Sequence, residues 1–169
     1  MHTYLRLLLA VSAPEGLIPN EAVAAWLPEP EELGAIERTS IWMATRFSAN
    51  LTALGARVYE KLGMLVEAKA TAELGAKQHR KGNVVSDCLR TLGRVEAALG
   101  EVEAAGTHFL AAIDKATEQK WFMQALLAAR DWKRSCGAAD GAAETADAAI
   151  DAACSAMNKE RAAFAALLC

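Results

Sequence analysis

Leu62-Gly63 recurs as Leu99-Gly100 and, weakened, as Cys136-Gly137, at a spacing of 37 residues each time. A fixed period of this size marks an array of small supersecondary units, each unable to bury its apolar face alone and therefore stacked on the next. The register persists beyond the glycines. Five residues past each stands an alanine (Ala68, Ala105, Ala142), followed four positions on by Ala72, Phe109 and Ala146, and three beyond those by Gly75, Ala112 and Ala149. Ala111 to Ala116 matches Ala148 to Ala153, and the shared pairs Ile113-Asp114 and Ile150-Asp151 hold the register without help from alanine.

Apolar residues are 53% of the 169 but aromatics only 6%, because alanine, the best intrinsic helix former, supplies much of the apolar count. Closely packed helices follow, and the expected class is all-α: antiparallel helical hairpins stacked as an α-solenoid. The glycine turns divide residues 39–158 into three hairpins, pairing 39–61 with 64–80, 84–98 with 101–118, and 120–135 with 138–156. Gly63 suits the left-handed conformation that closes a helix, and Asn83, after Lys81-Gly82, is the capping candidate for the second hairpin. Residues 1–38 form an irregular helical cap, in which Asn20 is expected to cap a short helix through Trp26 before Pro28 and Pro30 halt it. The run Leu5 to Val11 is too short, and too interrupted by Arg6, to read as a leader. Residues 159–169 begin a further helix whose stretch Ala162 to Cys169 is wholly apolar, so either a longer array or self-association through this end is expected.

The second hairpin carries Leu89, Leu92, Gly93, Ala105, Phe109 and Ala112 at the spacing by which it resembles a tetratricopeptide (TPR) repeat. The resemblance covers about two thirds of the chain. Three departures stand out: Glu96 where an aromatic is expected, Thr117 where a proline usually ends the unit, and a period of 37 rather than 34. The first hairpin matches through Leu51, Leu54, Gly55 and Ala68, with its first helix one residue out of register; the third matches through Leu126, Ala142, Ala146 and Ala149.

What the resemblance implies is a protein- or peptide-binding scaffold or adaptor, whose first helices line a concave face. Matched positions place Asp87, Arg90 and Arg94 of the second unit and Gln124, Leu127 and Asp131 of the third on that face, with Arg134 one step further on. For the first unit, either Asn50, Ala53 and Arg57 or Ala49, Thr52 and Ala56 line it, and the Leu54-Gly55 match favours the second set. Arginines here suit carboxylates or phosphorylated side chains, hence an acidic partner. The alternative is that Asp87 and Asp131 pair with the same arginines. A second reading of the whole is a structural or assembly subunit that associates through its apolar ends, as a homo-oligomer or with further repeats.

Catalysis finds no support in the pattern. His2, His79 and His108 are scattered without metal-ligand spacing, and Cys88, Cys136, Cys154 and Cys169 form no CxxC pair. Neither a phosphate-cradling loop nor a nucleophile elbow occurs. We therefore expect no enzyme, no metal and no cofactor. Cys136, at a turn, is expected to be the most reactive thiol. Trp42, Trp121 and Trp132 read as packing residues, while Trp26 either covers the end of the stack or contacts a partner. With a formal charge of -3, nucleic acid and membrane are not expected partners, and unpaired thiols point to a reducing, cytoplasmic setting.

Overall fold

The computed structural model describes residues 6, 7, 9, 10, 12, 17–39, 51–78, 82–139, 141–159 and 161–168. Among them the protein is all-α. After the helical residues Arg6, Leu7, Leu9, Ala10 and Ser12 come α1 (Asn20–Ala24), α2 (Pro30–Thr39), α3 (Leu51–Lys61), α4 (Leu65–Gln78), α5 (Gly82–Ala98), α6 (Val102–Glu118), α7 (Phe122–Cys136) and α8 (Ala142–Ala156). A 3-10 turn, Arg161–Phe164, and the short α9 (Ala165–Leu168) follow. Ile41, Trp42, Phe47, His2, His79 and Cys169 lie outside the described residues.

The helix ends explain the hairpins. Gly63 and Gly100 take φ of 75° and 83°, a left-handed conformation that costs glycine nothing. At the first turn the Met64 amide donates to the Tyr59 carbonyl and the Gly63 amide to that of Glu60; at the second, Glu101 donates to Glu96 and Gly100 to Ala97. This is the Schellman closure, which satisfies carbonyls a helix end leaves open. Lys120 and Asn158 close α6 and α8 in the same way at φ of 60° and 53°, with no glycine to announce them. The third turn departs from expectation. Gly137 is right-handed (φ -63°), and the left-handed residue is Gly141, at the N-terminus of α8, so Cys136-Gly137 is no copy of the first two turns.

Two capping expectations also need correction. Asn20 is the first residue of α1 and forms no cap: the Pro19 carbonyl accepts the Ala22 and Val23 amides. Asn83 lies inside α5, which starts at Gly82.

Each helix from α3 to α8 packs on the next, and the three-residue turns at 62–64 and 99–101 make the α3–α4 and α5–α6 pairs antiparallel. First helices also touch one another, α3 with α5 and α5 with α7, whereas α6 and α8 meet only lightly. Small residues permit this. A methyl group added at Gly93 would lie 2.9 Å from the Phe109 ring, and one at Gly75 would meet the Cys88 thiol and the Thr52 hydroxyl. The core runs from Leu7, Ala10, Val23 and Leu33 against α3, through Ala56, Ala72 and Leu92, to Phe109, Leu126, Trp132 and Ile150. Tyr59 Oη donates to the Pro28 carbonyl at 2.6 Å and Lys61 Nζ to that of Ala10 at 3.0 Å, tying the N-terminal segment to the first hairpin. Burial, reinforced by Glu29, pushes the Tyr59 phenol up to about 12. At the other end Phe164, Leu167 and Leu168 are half-buried against the chain's own core, so part of the apolar C-terminal stretch is already covered.

Gly93→Leu forces a side chain into the Phe109 ring. Overpacking of this kind costs about 1–3 kcal/mol, so the melting temperature by circular dichroism is expected to fall by roughly 3–10 °C. An unchanged melting temperature would contradict the close α5–α6 approach.

Candidate functional site

The first helices carry a charged cluster across the face on which they meet. Its centre is Asp131 on α7, with a side chain only 5% exposed. Arg90 Nε and Arg94 Nη1, one helical turn apart on α5, donate to Asp131 Oδ2 at 2.7 and 2.8 Å, and Arg130 Nε donates to Oδ1 at 2.8 Å. Arg94 turns its remaining fork on α3, donating from Nε and Nη2 to the two oxygens of Glu60 at 2.7 and 2.6 Å. Such two-point guanidinium pairing is the strongest ion-pair geometry available to side chains. Asp87 completes the set on α5, 3.8 Å from Arg90 Nη1.

Burial alone would raise the carboxyl pKa of Asp131, but Arg90 and Arg94 more than reverse that and hold it at about 2. Burial would likewise lower the Arg94 pKa; Glu60 and Asp131 overcome this and raise it.

The structure therefore brings Asp87, Arg90, Arg94 and Asp131 together, and pairs both aspartates with arginines. Gln124 and Leu127 are half-buried on α7, and Arg134 is exposed. Arg130 and Glu60 belong to the cluster and escape the sequence reading, although Arg130 directly precedes Asp131. In the first unit Thr52 and Ala56 of the favoured set are buried, as is Ala53 of the other, while Arg57 is half-buried beside Glu60, Asp87, Arg90 and Arg94; Ala49 and Asn50 lie outside the described residues. An open depression of about 370 Å³ is lined by Arg57, Glu60, Lys61 and Arg94.

A second polar group explains one departure from the TPR pattern. Glu96, 2% exposed, occupies the expected aromatic position, and His108 Nδ1 lies 2.6 Å from its Oε2 while Lys69 Nζ approaches its Oε1 at 3.3 Å. Lys69 also donates to Glu101, which with Glu96 raises its pKa. One carboxylate thus joins α4, α5 and α6.

Among the described residues, no three His, Cys, Asp or Glu side chains gather as a metal site, and no helix is long and apolar enough to cross a membrane. Cys136 is 4% exposed and burial pushes its thiol pKa up, so it is not the exposed turn thiol expected, and Cys88 and Cys154 are buried as well. It lines a second, mainly apolar depression of about 330 Å³ with Trp132, Val102 and Leu110. The chain matches no protein-family model, no curated protein and no solved structure.

Because the Asp131 pKa is lower folded than unfolded, the stabilisation it brings is complete above about pH 5 and is lost as pH falls through about 2. Asp131→Asn is expected to cost about 3 kcal/mol at pH 7, leaving buried guanidiniums unpaired, and to flatten the loss of stability between pH 4 and 2 by about 2 kcal/mol. Urea denaturation across that range measures both; a parallel pH dependence in the variant would contradict the assignment.

Proposed function

We propose that the chain is a TPR-like α-solenoid serving as a protein- or peptide-binding scaffold, with the face of α3, α5 and α7 as its working surface. The observation that carries this reading is the contact between successive first helices where second helices barely touch. In a stack of hairpins, closer approach on one side bends the array toward that side and makes it concave. The same side holds the ordered charge cluster and the open depression at Arg57. Rigid charged side chains on paired helices suit recognition better than mobile ones, because little ordering entropy is left to lose on binding.

The cluster's internal pairing alters which residues meet a partner. Arg90 and Arg94 are occupied by Asp131 and Glu60, so they shape the surface, and Gln124, Leu127, Arg134 and Arg57 are the side chains disposed to touch a ligand.

A photo-crosslinking residue at position 124, on α7, is expected to capture a defined partner from cell extract, while the same residue at 114, exposed on α6, does not. Equal capture at both positions, or capture only at 114, would count against the α3–α5–α7 face.

A further inference from the structure

The cluster is unevenly matched. The guanidiniums of Arg57, Arg90, Arg94 and Arg130 face the carboxylates of Glu60, Asp87 and Asp131. Glu60 gives both oxygens to Arg94, Asp131 is shared among Arg90, Arg94 and Arg130, and Asp87 lies nearest Arg90. Arg57 is left over. Among the described residues its guanidinium makes no hydrogen bond or ion pair, although it is half-buried, and it borders the open depression.

A guanidinium offers five donors in a rigid fork shaped for a carboxylate or phosphate, and one withdrawn from water without an acceptor is an uncompensated cost. Burial lowers the Arg57 pKa, with Asp87 and Glu60 opposing and Arg90 and Arg94 adding to the effect, the direction expected of a cation short of anions.

We propose that this depression binds a carboxylate side chain, Asp or Glu, of an acidic partner segment, seated side-on against Arg57 and supplying the fourth anion the cluster lacks. The site rests on the scaffold reading for the segment that presents it. Lys61 also lines the depression, but its Nζ donates to the Ala10 carbonyl, so Arg57 is the fork disposed to take an incoming carboxylate and phosphate is the competing anion in the test. Glu60 does not block the site, because Arg94 holds both its oxygens. The volume, about 370 Å³, falls at the small end of ligand pockets and accommodates one side chain rather than a folded surface.

The test is a titration of the full chain with a five-residue acetylated and amidated peptide bearing one central glutamate, its glutamine counterpart, and inorganic phosphate at matched ionic strength. The Arg94 side-chain Nε–H and the backbone amide resonances of Glu60 and Lys61, all of which line the depression and remain in every variant, report binding. A saturable shift is expected with the glutamate peptide, at least tenfold weaker with the glutamine peptide, and smaller with phosphate; binding disappears in Arg57→Gln and persists in Arg134→Gln. The melting temperature of Arg57→Gln should equal or exceed that of the parent, since an unpaired half-buried charge is removed. No saturable shift, an equal response to the glutamine peptide, a larger one to phosphate, or a lower melting temperature in Arg57→Gln would overturn the proposal. Failure of the glutamate peptide while position 124 still captures a partner selectively would reject the anion site and spare the scaffold. Saturable glutamate binding without capture at 124 would do the opposite.

Discussion

Asp131 is a carboxylate taken out of water and held by three guanidiniums, two reaching it from α5 and one from its own helix. Desolvating such a group costs several kcal/mol, and the expense is recovered only where donors converge on it with good geometry. This fixes how α5 and α7 sit against each other, and through Arg94 and Glu60 the same constraint extends to α3. Apolar contacts between alanine-rich helices tolerate sliding, since small side chains interlock weakly. A buried ion cluster does not. Its members lose their partners if any helix shifts by a fraction of a turn.

The repeat both creates and solves an electrostatic problem. Residues 57, 94 and 131 are separated by 37, and they read Arg, Arg, Asp. Three stacked arginines would repel one another; aspartate in the third copy gives Arg94 a partner instead. Among the described residues Arg57 is given no such partner, since Arg94 holds both oxygens of Glu60 and Asp87 lies beside Arg90. Glu96 shows a similar substitution of polarity for packing. Where an aromatic ring would fill the wedge between helices, Glu96 bonds to His108 and Lys69, exchanging a non-directional contact for a directional one.

Much of the fold was legible because turn chemistry is local. Gly63 and Gly100 announce their left-handed turns, and apolar periodicity places α4 to α8 within a few residues. Lys120 was not legible, since nothing in a lysine favours the left-handed region, whereas Asn158 is of a residue type that enters it readily. The first unit misled for a specific reason. Gly55 mimics Gly93 in sequence, yet it makes room for Leu33 of α2, and the residue 37 before Gly93 is Ala56, buried beside Ala72 and Leu92. That one-residue offset hid Arg57 from the charged face. Four of the seven residues assigned to the concave face, Asp87, Arg90, Arg94 and Asp131, converge in one cluster. Which carboxylate each arginine chooses depends on side-chain reach across helices, and spacing carries no record of it.

If the cluster sets the register of the first helices, the coupling between its members should be large and specific. A double-mutant cycle of Arg94→Met and Asp131→Leu, read by urea unfolding at neutral pH, measures this directly. Arg94→Met is predicted to destabilise by taking from Glu60 both its donors and from Asp131 one of three, Asp131→Leu by taking from Arg90, Arg94 and Arg130 their shared carboxylate, and the double variant to recover about 1–3 kcal/mol relative to the sum of the singles. Additive losses, with no recovery, would contradict the claim that this buried pair holds α5 and α7 together.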